Sequence, residues 1–150
     1  MKIAHTVKIS VFVQENEGIQ QAKDIFQQWI PLDWEKEKIR IEAQKAAGLE
    51  KKPIIVVNMA LTKEKHTSLL LKNLLAKLDP VQKKILLHQL ESRLDNDLNF
   101  FIRLDKGRLL KENKCEVTDS GDCFHIKISV AAFPKKREVA KEVVKKLLSS

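Results

Sequence analysis

Ile3-Ala4-His5-Thr6-Val7-Lys8-Ile9-Ser10-Val11-Phe12-Val13 alternates between apolar and polar positions. His5, Val7, Ile9, Val11 and Val13 share one face, while Thr6, Lys8, Ser10 and Phe12 share the other. A period of two over this length is a half-buried strand. Such a strand belongs in a sheet with one packed face and one wet face.

The segments on either side of it supply the rest of a two-layer fold. Asn16, Glu17 and Gly18 open a helix whose stripe is Ile19, Ala22, Phe26, Trp29 and Ile30, and Pro31 stops it. Residues 36–44 alternate again, with Ile39, Ile41 and Ala43 inward and Lys38, Arg40 and Glu42 outward. A loop from Gly48 to Pro53 leads to Ile54–Leu61, which is apolar on both faces apart from Asn58 and is expected as a central strand. Thr62 stands at the cap position of a helix running to about Lys77, with Leu70, Leu71, Leu74, Leu75 and Leu78 as its stripe.

Asp79-Pro80-Val81-Gln82 restarts a helix, with Asp as cap, Pro at the first helical position and Gln three residues after the cap. Its apolar positions are Val81, Ile85, Leu86 and Leu90, and it fades near Leu94. Phe100–Asp105 is a strand, Lys106–Lys114 a short basic segment, and Cys115–Asp119 with Asp122–Phe133 a hairpin. A last helix from about Lys135 carries Val139, Ala140, Val143, Val144, Leu147 and Leu148. The order β-α-β-β-α-α-β-β-β-α predicts one α+β domain over residues 1–150. It is a two-layer sandwich, its sheet mixed or mostly antiparallel and its helices on one face.

Composition narrows the function classes. The chain has 150 residues, 43% of them hydrophobic and 32% charged, which excludes both a membrane-embedded and a disordered chain. Neither a targeting segment nor an apolar run of membrane-spanning length is visible. Lys and Arg number 28 against 20 acids, a net charge of +8 that favours polyanionic partners. The two cysteines, Cys115 and Cys123, flank the turn Asp119-Ser120-Gly121-Asp122. A turn centred on Ser120-Gly121 sets neither cysteine opposite the other, so both are read as free thiols of a reducing cytoplasm.

Signals for catalysis are thin. His5, His66, His88 and His125 lack metal-ligand spacing. Asp95-Asn96-Asp97-Leu98-Asn99 begins like a calcium loop, but Phe100 stands where Gly is needed and Lys106 where the bidentate Glu belongs. There is no phosphate-cradling glycine loop and no nucleophile elbow. Asp105, Asp119 and Asp122 are expected as turn and strand-end residues. The expectation is a protein without catalytic residues, cofactor or metal.

The cations stand in unusual places. Lysine in the first turn of a helix is unfavourable by roughly 0.3–1 kcal/mol against the helix dipole. Lys63 and Lys65 begin one helix, and Lys135, Lys136 and Arg137 begin another. A bound phosphate reverses the sign of that cost; the alternative is a solvated basic end, partly neutralised by Glu64 and Glu138. From Lys135 to Lys146 there are six bases against two acids. By alternation, Lys8, Phe12, Arg40, Phe101, Arg103, His125 and Lys127 all point away from the helix layer. That is either a platform for single-stranded RNA or the ordinary wet face of a sheet.

Three blocks carry a family resemblance: Leu61-Thr62-Lys63-Glu64-Lys65-His66, Phe100-Phe101-Ile102-Arg103-Leu104-Asp105-Lys106, and His125-Ile126-Lys127-Ile128 with Ala131-Ala132-Phe133-Pro134-Lys135-Lys136-Arg137-Glu138. In this order they resemble the archaeal RNA-binding family described as predicted exosome subunits. That family is similar in fold to the ribosomal protein that binds 5S ribosomal RNA. After Asp105-Lys106, where family members usually carry Gln, this chain has Gly107.

The resemblance implies an α+β fold, a cytoplasmic location and RNA binding without a recognised catalytic residue. The expected RNA contacts are Lys63, Lys65, Arg103, Lys106, Arg108, Lys127, Lys135, Lys136 and Arg137, with Phe101 stacking a base. The expected partners are RNA and exosome or other RNA-processing proteins, with no membrane. The alternative is an adaptor or homodimer without direct RNA contact, docking through an edge strand or Leu109-Leu110.

Overall fold

The computed structural model describes residues 2–14, 16–46 and 54–149. The expected Gly48–Pro53 loop lies outside the described residues. Five strands form one sheet: β1 Ala4–Val13, β2 Ile41–Ala46, β3 Ile54–Leu61, β4 Asn99–Asp105 and β5 Cys123–Val130. Their order is β2-β3-β1-β5-β4, and every neighbouring pair is antiparallel. The helices are α1 Asn16–Trp29, α2 Trp34–Glu37, α3 Glu64–Lys77, α4 Pro80–His88, α5 Leu90–Arg93, α6 Lys106–Glu112 and α7 Arg137–Leu148. The alternating segment β1 is the central strand, so both its edges are paired and only its faces differ.

One face is packed. Val7, Ile9, Val11 and Val13 of β1 meet Val57, Met59 and Leu61 of β3, Phe124, Ile126 and Ile128 of β5, and Phe100, Ile102 and Leu104 of β4 in one core. Helices α1, α3 and α7 cover it with Ala22, Phe26, Trp29, Leu70, Leu71, Leu74, Ala140 and Val144. Phe26, Trp29 and Phe124 pack as an aromatic trio with centroids 6.0–6.2 Å apart. Gly18 lets α1 approach β1 closely, since a Cβ there would stand 2.6 Å from Val13 Cβ.

The alternation slips at one point. A register shift between Ala4 and Thr6 opposite β5 buries Ala4 and leaves His5 only half-buried, so the buried set is Ala4, Val7, Ile9, Val11 and Val13. The strand expected over 36–44 is corrected more heavily. Residues 34–37 form the α2 turn, because Asp33 caps it by accepting from Lys36 N–H at 3.2 Å. Trp34 also drops into the core, donating from Nε1 to Ile30 O at 2.9 Å. Lys38 closes the turn in the left-handed region (φ 58), and β2 starts only at Ile41. Ala43 is exposed rather than inward, since β2 is an edge strand.

The expected hairpin of Cys115–Asp119 with Asp122–Phe133 does not form. Both edges of β5 are taken, by β1 and β4. The 115–119 segment instead runs along the outer edge of β4. There Asp105 N–H donates to Glu116 O and Thr118 N–H to Arg103 O, each at 2.9 Å. The basic segment after β4 is helical: Asp105 accepts from Arg108 N–H at 2.9 Å and starts α6, which buries Leu109. Leu109 is therefore core and not the docking contact expected of Leu109-Leu110. Cys115 is buried, Cys123 half-buried, and both are free.

Helix starts also differ in detail. Lys63, not Thr62, is the N-cap of α3, and Lys136 is that of α7, so α7 begins at Arg137. Neither lysine makes a side-chain cap bond. Asp79 caps α4 as expected, accepting from Gln82 N–H at 2.9 Å. Gln82 does not complete the box; its Oε1 accepts from Val117 N–H at 2.8 Å and ties α4 to the β4 edge segment. Val81, expected on the apolar stripe, is 62% exposed. Replacing Asp79 with Ala removes an N-cap and is expected to lower stability by about 1 kcal/mol, read as a shift in the urea midpoint.

Candidate nucleic-acid interface

The face of the sheet away from the helices is open, and strand register orders its side chains into rows. Ala60, Lys8, Lys127 and Phe101 lie opposite one another across β3, β1, β5 and β4. The next row runs Glu42, Asn58, Ser10, His125 and Arg103. Lys8 is exposed, while Phe101, Arg103, His125 and Lys127 are half-buried. The rings of Phe101 and His125 pack at a centroid distance of 5.4 Å, tilted by 35°. Among the described residues, Lys8, Arg103 and Lys127 have no ion-pair partner. Burial, with Arg103 and Lys127 close by, holds the His125 imidazole below its usual value.

Topology brings the two lysine-rich helix starts together. β3 and β5 both run antiparallel to β1, so they end at the same end of the sheet, two strand spacings apart across it and staggered along it, Leu61 opposite Val7 and Val130 opposite Ala4. Lys63 follows β3, and Lys135 and Lys136 follow β5, at that end. All three are exposed and have no ion-pair partner among the described residues. Phe133, 74% exposed, precedes Pro134-Lys135 in the chain and packs T-shaped with His5, ring centroids 5.8 Å apart. Nothing in the alternation singles out Phe133; its signal is an aromatic residue left in a Pro-Lys-Lys loop.

The remaining expected contacts are engaged within the protein. Lys65 Nζ lies 2.8 Å from Glu37 Oε1, and His66 Nε2 lies 3.1 Å from the same oxygen. Lys106 reaches Phe12 O at 2.8 Å and Asp122 at 2.5 Å. Arg108 pairs with Glu112 and Glu116 at 2.7 and 3.1 Å. Lys106 and Arg108 follow β4 at the opposite end of the sheet from Lys135. Arg137 donates to the carbonyls of Leu94, Asp95 and Glu91 and pairs with the Glu91 carboxylate, fastening α7 to α5. The carboxylates are engaged too: Asp105 caps α6, Asp119 pairs with Arg93 and Asp122 with Lys106.

The hydrogen bond from Lys65, with that from His66, holds the Glu37 carboxyl down at about 2. A depressed carboxylate contributes stability that is full above its ordinary value near 4.5 and is lost as pH falls toward 2. Glu37→Gln is therefore expected to lower the urea midpoint at pH 7 and to match the wild type near pH 2. A gap that persists at pH 2 contradicts the pairing.

A family described as RNA binding matches residues 6–130. The chain belongs to that family. An RNA-binding protein of Pyrococcus abyssi is 26% identical over 145 residues, spanning 97% of this chain and 94% of the relative. A solved structure from Archaeoglobus fulgidus superimposes with TM-score 0.79 at 26% identity, covering 96% of this chain and 99% of that one. Another from Methanothermobacter thermautotrophicus gives 0.73 at 28% identity, covering 97% and 98%. This RNA-binding family member thus keeps its relatives' fold over nearly its whole length. Its α+β architecture with an open antiparallel sheet agrees with the sequence expectation.

Proposed function

We propose that the protein is a non-catalytic RNA-binding protein that lays single-stranded segments across its open sheet face. The observation that carries this is a cluster of cations around a ring pair: Lys8, Arg103 and Lys127, none of them in an ion pair among the described residues, beside Phe101 and His125. Unstacked bases gain from a ring surface, and phosphates gain from cations not tied up in a direct ion pair. Lys63, Lys135 and Lys136 extend the track at one end of the sheet. Lys65, Lys106, Arg108 and Arg137 support the scaffold through their pairs and contribute only a background field.

A cytoplasmic role in RNA processing or degradation, in association with exosome proteins or ribosomal RNA, goes with this reading. Among the described residues β2 pairs only with β3, so its outer edge is the surface for a protein partner or a second copy.

Salt dependence tests the proposal. For single strands the slope of log affinity against log salt is about −0.7 per phosphate neutralised, so six cations predict about −4. Filter binding of unstructured RNA from low to moderate salt is expected to show that slope, and a flat affinity overturns the reading.

A further inference from the structure

The α2 turn creates a cavity that the sequence pattern does not show. It lies between α1, α2 and the start of β2, with a volume of about 420 Å³. Trp34, Ile39 and Ile41 form its apolar wall, and Lys23, Lys38, Arg40 and Glu35 its rim. The wall is rigidly mounted. Trp34 is hydrogen-bonded to Ile30 O at 2.9 Å, Ile39 N–H donates to Trp34 O at 2.8 Å, and both side chains belong to the core.

Among the described residues, none of Lys23, Lys38 and Arg40 has an ion pair or a side-chain hydrogen bond. Three unneutralised cations therefore surround an apolar, partly aromatic wall, with one carboxylate among them. The volume falls within the range of small-ligand sites, roughly 300–1,000 Å³.

The geometry points to a site for a nucleoside monophosphate unit, its base or ribose against Trp34 and Ile39 and its phosphate on Lys38 and Arg40. Free nucleotide and the 5′-phosphorylated end of an RNA strand present the same chemistry. The site is distinct from the open face. Ile41 pairs with Met59, a core residue, so the cavity opens on the helix side. It also sits at the β2 edge, four strand spacings or about 19 Å from the strand of Arg103.

Tryptophan fluorescence of the intact protein tests the site, because Trp34 forms its wall while Trp29 is sealed in the core. Titration with adenosine or uridine monophosphate is expected to give a saturable change that Trp34→Phe removes. Affinity is expected to fall about tenfold or more in Arg40→Ala and in Lys38→Gly. Glycine suits the left-handed backbone at position 38, so the second variant is expected to melt no lower than the wild type.

Preference for 5′-phosphorylated over 5′-hydroxyl RNA, lost in Arg40→Ala, identifies the strand end as the source. Saturation by the monophosphate without that preference identifies free nucleotide. Inorganic phosphate binding as tightly as the monophosphate overturns nucleoside recognition. So does the absence of any saturable change, or a change that both variants leave intact. Reversal of Lys8, Arg103 and Lys127 to Glu is expected to leave this titration unaltered, so the open face and the cavity can fail separately.

Discussion

The triple variant Lys8→Glu, Arg103→Glu and Lys127→Glu is expected to bind RNA about a hundredfold more weakly at physiological salt. Counterion release at 0.15 M salt is worth about 0.8 kcal/mol per phosphate contact with a single strand, so losing three contacts costs about 2.4 kcal/mol. Reversed charges add repulsion and carry the loss to about two orders of magnitude. The salt slope is expected to flatten by about two. Stability is expected to change little, because none of the three side chains forms an ion pair among the described residues. Arg108→Glu is the single-site control, a cation already paired with Glu112 and Glu116 at the other end of the sheet. It is expected to change affinity less than about threefold. Arg108→Glu changes net charge by a third as much as the triple variant, so a loss per reversed charge equal in the two makes binding a matter of net charge and removes the open face as the site.

The layered α+β fold was legible because the longest alternating segment is the central strand. A strand paired on both edges has only its faces left to distinguish, and a period of two writes that difference into residues 7–13. The amphipathic stripes of α1, α3 and α7 were legible for the same reason. What failed were elements determined by partners distant in sequence. Cys115–Asp119 alternates well enough for a hairpin arm, but β5 is already sandwiched between β1 and β4. The segment therefore pairs with the free edge of β4. α2 spans four residues and α6 seven, too short for a helical period to register, and each rests on one aspartate cap.

The candidate site divides along similar lines. Phe101, Arg103 and Lys127 were placed on the open face by alternation alone, and register then set Lys127 opposite Phe101 and His125 opposite Arg103. Which cations are free was not legible, since pairing depends on long-range contacts. Lys106 bonds a carbonyl 94 residues away, and Arg137 a glutamate 46 residues away. Lys106, Arg108 and Arg137 read in sequence like any other cation, because a basic residue is written the same whether or not a carboxylate or carbonyl holds it. Arg40 was expected on the open face from a strand that starts later than its pattern suggests, and it stands at the rim of the cavity instead.

Arg93→Met is expected to be the most destabilising single change at the β4 edge, by about 3 kcal/mol. Arg93 is buried at 5% exposure, and its guanidinium serves four acceptors: Gln89 Oε1 at 2.8 Å, Asp119 Oδ1 at 2.8 Å, Thr118 O at 3.3 Å and Phe101 O at 3.4 Å. Two of these are main-chain carbonyls of β4 and of the segment lying along it. Without Arg93 both lose a donor in a half-buried site, and a buried acceptor left unpaired costs roughly 1–3 kcal/mol. Asp119 is 75% exposed, so Asp119→Asn leaves every buried group satisfied and is expected to cost under about 1 kcal/mol. The asymmetry separates a buried donor from a surface ion pair, and equal urea midpoints for the two variants contradict it. Arg93→Lys is expected to fall between them, because a single ammonium keeps the charge but cannot span four acceptors. Since one acceptor is the carbonyl of Phe101, Arg93→Met is also expected to weaken RNA binding under conditions where the variant is fully folded, while Asp119→Asn is not.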